Sequence, residues 1–255
     1  MKFWTGCIAV MLILGSVLVA EAQEIAIPTK QAAIVIDDFG NNMFGTKEMM
    51  NLPFPITVAV MPFLPTTKRD AEWAHQAGHE VIVHMPMEPK SGNKDKWLGP
   101  GAITTDLAEE EIRRRINAAI DDVPHAVGIN NHMGSKVTAD ARIIRIILEE
   151  CQKRGMYFLD SHTNYRSIVS KTASKVGVPC IENHIFLDDI NTREHIYKQI
   201  TLLQEHLKDH DQCVAIGHVG TRKKTAAVLG DVIPKLKKEI QFLPVSALVK
   251  KQPPL

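Results

Sequence analysis

The chain has 255 residues, with 30 Lys and Arg against 29 Asp and Glu, and 45% of its residues are hydrophobic. This balance excludes the basic footprint of a nucleic-acid-binding protein and the charge-rich, apolar-poor signature of a disordered chain. Residues 1–22 read as a cleaved secretory leader: Lys2 gives a positive start, Cys7 to Val19 an apolar stretch, and Ala20-Glu21-Ala22 a small-x-small cleavage site. The apolar stretch is short for a membrane span, so the mature chain is expected to begin near Gln23 and to work outside the cytoplasm, in periplasm or cell wall, with no membrane span left. An uncleaved N-terminal anchor is the alternative. After a short segment at 23–30, roughly 230 residues of ordinary hydrophobicity suffice for one large domain with a full core, set at 31–250, before a tail at 251–255. Cys151, Cys180 and Cys213 show no paired spacing and read as core thiols.

The first strand is the run Ala33 to Ile36, which passes into Asp37 and Asp38 and breaks at Phe39-Gly40. A continuous, β-branched apolar run suits a strand buried on both faces. Two carboxylates at its end can divide their work between a metal and a proton, or can simply cap a following helix. A second strand covers Ile56–Val60, and Thr66 or Thr67 caps a helix ending before Gly78. The strand Glu80–Val83 delivers His84, and Pro86 then opens a long loop to about Thr105, with Trp97 within it. A charged amphipathic helix follows over Asp106–Asp121. The strand Ala126–Ile129 leads into Asn130-Asn131-His132, and Thr138 caps a helix whose apolar face is Ile143, Ile144, Ile147 and Leu148. Tyr157–Leu159 is a strand ending in Asp160-Ser161-His162. Then come a helix near 167–176, a strand near 180–186, a helix near 193–207, and the strand Cys213–Ile216, which ends in Gly217-His218. A helix over 225–238 and a strand at 241–245 close the pattern.

About seven β/α units in succession predict an α/β fold with a parallel sheet, and the count favours a single irregular barrel over a doubly wound sheet. No glycine-rich phosphate loop follows the first strand, which removes the main support for a nucleotide site. Asp37, Asp38, His84, His132, Asp160 and His218 all fall at predicted carboxyl ends of strands, which converge on one face of a barrel. One Asp and two His from separate strands make a facial ligand set for a divalent metal such as zinc, leaving positions open for water and substrate. His75, His195, His206 and His210 lie on or near helices and read as surface or structural residues. His79 sits at the wrong end of its strand, and His125 and His184 stay unassigned.

At these residues the chain resembles a known family. Val35-Ile36-Asp37-Asp38-Phe39-Gly40 is similar to the first motif of the NodB-like polysaccharide deacetylases, the family 4 carbohydrate esterases. Gly78-His79-Glu80 followed by a strand and His84 is similar to their second motif. The fuller series HMPMEP, NNHMGS, FLDS and IGHVG, in this order, resembles the divergent polysaccharide deacetylases, over about Ala32 to Val249. The resemblance implies a single-domain distorted (β/α) barrel and metal-assisted deacetylation, with Asp37 as general base, Asp38 and His84 as metal ligands, and His218 as general acid. The residue four after His84 is Glu88, where the family has a second histidine, and the family's arginine-proline motif is absent near Asn131-His132. His132 is assigned the missing imidazole from its strand position, with Glu88, Asn131 and Asp160 as further metal or substrate contacts. The expected activity is hydrolysis of an N- or O-acetyl group on a cell-envelope or extracellular polysaccharide, with a divalent metal, zinc by preference. The alternatives are a non-catalytic glycan-binding protein on the same scaffold, and another metal-dependent amidase or hydrolase. Trp97 could supply a sugar-stacking wall or anchor its own loop.

Overall fold

The structure is a computed structural model and describes Met1 and residues 29–92 and 98–249. The leader, the cleavage site before Gln23, Trp97 and the tail at 251–255 lie outside the described residues. Strands and helices alternate as β1 (Lys30–Phe39), α1 (Thr46–Met50), β2 (Thr57–Val60), α2 (Thr67–Gln76), β3 (Glu80–Met87), α3 (Glu109–Asp122), β4 (Ala126–Met133), α4 (Ala141–Lys153), β5 (Tyr157–Asp160), α5 (Val169–Val176), β6 (Cys180–Glu182), β7 (Ile185–Phe186), α6 (Arg193–Asp209), β8 (Gln212–His218), α7 (Lys224–Leu236), β9 (Ile240–Phe242) and α8 (Val245–Val249). Among the described residues, no helix is long and apolar enough to cross a membrane.

All strand pairs are parallel, in the order β6-β5-β4-β3-β2-β1-β8-β7, with β9 added beside β1. Only Asn183 and His184 separate β6 from β7. The Asn183 N–H donates to the Asp160 carbonyl on the β5 side, and the His184 N–H donates to the Val214 carbonyl on the β8 side. One short run of chain therefore pairs with both ends of the sheet and curls it into a distorted (β/α) barrel.

Side-chain alternation divides the apolar residues into two cores. Ile34, Ile36, Val58, Val83, Met85, Phe158, Cys213 and Ala215 point outward and pack under the helices. Ala33, Val35, Ala59, Ile82, Leu159, Ile181, Val214 and Ile216 point inward, and Val245, Leu248 and Val249 of α8 join them to close the barrel at the strands' amino ends. Counting on by two along the inward rows brings Asp37, His84 and His218 above Val35, Ile82 and Ile216. The barrel is thus filled with hydrocarbon below and polar groups above.

Several boundaries differ from those read off the sequence. β1 runs through the aspartate pair to Phe39, β3 continues through Pro86 to Met87, and β4 reaches Met133. Pro86 is tolerated because β2 stops at Val60, opposite Val83, so no ladder bond to β2 is lost there. The helix assigned to a Thr138 cap begins at Ala141 instead, and the Asp140 carboxylate accepts the Ile143 N–H at 3.1 Å. Thr138 lies in a 3-10 turn and donates to the Gly134 carbonyl. The strand expected over 180–186 is split, and Val245 starts a helix rather than ending a strand. Cys151, Cys180 and Cys213 are buried free thiols.

Gly128 lies against the Tyr157 ring in the barrel. A Cβ there would meet the Tyr157 ring at 2.6–2.8 Å, below any real contact. The ring cannot retreat easily, because its hydroxyl donates to Glu80 at 2.8 Å. Gly128→Ala should therefore destabilise the fold by about 1–3 kcal/mol through overpacking, read as a lowered urea midpoint. An unchanged midpoint would show that the ring is not held.

Candidate active site

Consecutive strand residues face opposite sides of a sheet, so Asp37 and Asp38 would ordinarily part. The register of β1 against β2 slips here: Ile36 faces Val58 but Phe39 faces Val60, so one extra residue is accommodated. Asp38 takes up the bulge in the left-handed region, at φ 71°. That conformation is costly for a residue with a Cβ, and it turns the second carboxylate toward the same mouth as the first. Among the described residues, every non-glycine with positive φ except His125 lies at or beyond a strand's carboxyl end: Asp38, Asn42, Phe63, Met133, His162, Arg222 and Lys223. Strain concentrated on one face is a mark of a working site.

Asp38 meets two imidazoles. Its Oδ1 lies 3.3 Å from His84 Nε2 and 3.1 Å from His132 Nδ1, and the two ring nitrogens are 3.0 Å apart. Asp37 Oδ2 is 3.7 Å from His84 Nε2. His84 is fully enclosed, and its Nδ1 is 2.7 Å from Asn130 Oδ1. The Asn130 amide group in turn donates to Asp37 Oδ1 at 2.9 Å. These two bonds settle the proton on His84. A carboxylate takes the NH2 end of Asn130, which leaves Oδ1 for His84, so His84 Nδ1 donates and Nε2 is the nitrogen that faces Asp38 and His132; burial lowers the His84 pKa, but Asp37 and Asp38 raise it above its usual value.

The residues fit a divalent cation. Asp38, His84 and His132 bring three donor atoms within 4.8 Å of one another. Asp38 Oδ1 is buried without a hydrogen-bond partner, an expensive state that a cation would relieve. The carboxylate is suitably ionised: burial works to raise its pKa, but the imidazoles of His132 and His84 hold it well below the usual range. A second group, His184, His206 and Cys213, lies at similar spacing but offers poorer chemistry. His184 Nδ1 accepts the Val214 N–H at 2.9 Å, which puts the proton on Nε2. Burial pushes the Cys213 thiol up to about 12. These donors keep their protons.

His218 stands next to Asp37 across the β1–β8 ladder. Its Nδ1 is 2.7 Å from Asp188 Oδ1, and its backbone N–H donates to Asp188 Oδ2 at 2.9 Å. The Thr225 hydroxyl donates to the same carboxylate at 2.6 Å. Burial lowers the His218 pKa, but the bond to Asp188 and the charges of Asp37, Asp188 and Asp38 outweigh it and lift it to about 9. Burial raises the Asp37 carboxyl above its usual value against the opposing charges of His84 and His218. Neighbouring strands thus carry an imidazole whose proton is held and a carboxylate with raised proton affinity.

Five of the eight residues singled out in the sequence, Asp37, Asp38, His84, His132 and His218, come together here. The other three stand apart. The Glu88 carboxylate accepts the Thr105 N–H and hydroxyl and pairs with Lys136 at 2.9 Å, tying the loop after β3 to the turn after β4. Asn131 takes the parity opposite to Asn130, accepts the Ser161 N–H and donates to the Met133 carbonyl. Asp160 accepts the His162 N–H and the Ser167 hydroxyl. Sequence reading missed Asn130 and Asp188. Period-two counting back from His132 would have found Asn130; nothing local distinguishes Asp188 from the exposed Asp189 beside it.

Comparison with known proteins bears on the family and the fold. The family model for divergent polysaccharide deacetylases matches residues 34–249. The uncharacterized protein YibQ of Escherichia coli K12 is 34% identical over 217 residues, covering 85% of this chain and 66% of its own. The chain thus spans a little under two thirds of that relative. The uncharacterized protein ATU2773 from Agrobacterium tumefaciens C58 shares the fold at TM-score 0.80 and 20% identity, over 87% of this chain and 89% of its own. The peptidoglycan N-acetylglucosamine deacetylase Bc1960 does so at 0.53 and 13%, over 88% and 90%. A mutant of BA3943, described as a CE4 family pseudoenzyme, follows at 0.52 and 15%, over 86% and 67%. Since the matched span takes in all of β1 beyond Ala33, the whole cluster and the His218–Asp188 pair, this chain belongs to the divergent polysaccharide deacetylase family.

Proposed function

We propose that this chain is an exported, zinc-dependent hydrolase that removes acetyl groups, N- or O-linked, from a cell-envelope or extracellular polysaccharide. The observation that carries the proposal is the pairing of Asp37 and His218 on neighbouring strands, at a mouth that also holds Asp38, His84 and His132. The leader-like residues 1–22 support export, and the family supports a glycan substrate.

Asp38, His84 and His132 would hold the cation, which when bound lowers the pKa of a water and polarises the acyl carbonyl. Asp37 accepts the proton of the attacking water, and the Asn130 amide holds the carboxylate in place for that transfer. The water oxygen bonds to the carbonyl carbon, the C–N or C–O bond to the sugar breaks, and acetate is released. His218 donates its Nε2 proton to the departing amine or alkoxide, while Asp188 on Nδ1 keeps the ring charged until then. Asp37 loses the proton it gained and His218 regains one, so each turn consumes one water.

Three outcomes test this. Purified protein should contain one zinc, and His84→Ala should lose most of it on dialysis. Asn130→Ala should weaken zinc affinity by roughly 10- to 100-fold, as removal of a ligand's supporting partner does. Full occupancy in His84→Ala would overturn the ligand assignment.

Asp37→Asn and His218→Ala should keep their zinc and fold yet release acetate roughly 100- to 10,000-fold more slowly. Variants as fast as wild type would refute the acid and base roles. A wild type that binds glycan and zinc but releases no acetate would make the chain a binding protein.

The acid must be protonated, so activity should fall as pH rises through about 9. In Asp188→Asn the anion that favours the imidazolium is gone, and the alkaline limb of the rate profile should move to lower pH. A limb that stays in place would remove Asp188 from this role.

A further inference from the structure

The left-handed conformation of Asp38 is strained, and strain persists only where the surroundings hold it. On one side of the bulge the Val219 N–H donates to the Asp37 carbonyl at 3.1 Å. On the other side the chain is fastened to the corner between β2 and α2. The Met61 N–H donates to the Phe39 carbonyl at 2.9 Å, and the Thr66 N–H to the Gly40 carbonyl at 2.8 Å. Gly40 is seated so closely on this corner that a Cβ would meet the Met61 carbonyl oxygen at 2.8 Å. Its remaining polar group, the N–H, donates to Asp70 Oδ2 at 3.0 Å.

Asp70 stands in the first turn of α2 and is fully enclosed. A carboxylate taken out of water needs partners for both oxygens. Oδ2 also accepts the Thr66 hydroxyl at 2.7 Å, and Oδ1 accepts the Arg69 Nε–H and Nη2–H at 3.1 and 3.0 Å. Both partners reach the same loop: the Thr66 hydroxyl accepts the Asn42 N–H at 3.1 Å, and Arg69 Nη2 donates to Asn42 Oδ1 at 3.2 Å. An acid in a first turn ordinarily serves its own helix. Among the described residues, the one main-chain N–H that the Asp70 carboxylate accepts is that of Gly40. With Asp37 and Gly40 both fixed, Asp38 has to span them. If Gly40 came free, Asp38 could relax toward ordinary extended backbone, and its side chain would turn toward the helical layer. Its Oδ1 would then leave His84 and His132, from which it lies 3.3 and 3.1 Å.

We infer that Asp70 is a positioning residue for the cation site: by holding the Gly40 N–H it keeps Asp38 in its bulge and so sets the distance from that carboxylate to His84 and His132. It acts through the backbone, since none of its hydrogen bonds goes to those three residues. The effect on zinc rests on the reading given above, whereas the place of Asp38 between the two imidazoles does not.

The test uses the full chain and two readouts. In Asp70→Ala, zinc affinity measured by chelator competition should fall roughly 10- to 100-fold, the scale for removing the support behind a ligand. In the same variant without metal, the imidazole nitrogen resonances of His84 and His132 should shift, because the Asp38 anion has moved. Asp70→Asn keeps an oxygen for Gly40 and Thr66, and the half-exposed Arg69 can turn to water, so this variant should restore most of the affinity and the wild-type resonances. Thr66→Val removes one hydroxyl from the network and should give the same shifts in smaller measure, which keeps the test decisive if Asp70→Ala does not fold. Leu203→Ala, a buried site on α6, should lower the urea midpoint but leave affinity and resonances unchanged. Unmoved resonances in Asp70→Ala, or in Thr66→Val where the former does not fold, would overturn the inference. So would equal shifts in Leu203→Ala, or an Asp70→Asn variant as impaired as Asp70→Ala. Resonances that depend on Asp70 in a wild type that takes up no zinc would uphold the positioning role and refute the zinc reading, so the two failures are distinguishable.

Discussion

Two neighbouring residues of a strand cannot serve one site unless the strand breaks its own alternation. In β1 the break is a single extra residue opposite β2, absorbed at Asp38 in a left-handed conformation. Without it, Asp38 would face the helical layer, where Ile34 and Ile36 lie in hydrocarbon. An ionised carboxylate there would cost several kcal/mol. With it, the pair shares the barrel mouth, and His84 and His132 gain an anion between them. The strain at one residue is the condition for the whole cluster.

Around that bulge the polar groups are arranged in two hydrogen-bonded chains with opposite effects on protons. In one, Asp37, Asn130 and His84 are linked in sequence, so that a single amide orients a carboxylate and fixes the tautomer of an imidazole. In the other, Asp188 lies behind His218 and favours its charged form. The first chain is buried, where unsatisfied groups are expensive, and in the second the buried Asp188 holds a half-buried His218 through both Nδ1 and the backbone N–H. The second His/Cys group shows the contrast: its imidazole spends its lone pair on a backbone amide, and proximity alone does not make a ligand set.

The mouth's surroundings follow from the same barrel geometry. The loop after β5 lies beside the chain between β6 and β7, which pairs with both sheet ends. That closure places Phe186 next to His218 and leaves a cavity walled by Tyr165 and His162. Glu88, by contrast, sits where the family resemblance suggested a ligand, yet the turn after β4 brings Lys136 to it and makes it a loop tie.

Much of this was legible in the residues themselves. Apolar runs ending in acids and histidines, separated by amphipathic helices, determined a parallel β/α barrel with its chemistry at one end, because strand propensity and burial are local properties of five to ten residues. The pairing of Asp38, His84 and His132 was also accessible, since all three end or nearly end strands. What the chain order alone did not decide was which of two adjacent polar residues faces inward. Asn130 rather than Asn131, and Asp188 rather than Asp189, were selected by strand parity and by which loop closes over which strand. Asp160 went to its own loop by the same rule. Those choices depend on the register between strands distant in sequence, a one-residue quantity that exchanges interior for exterior and that only the assembled barrel defines.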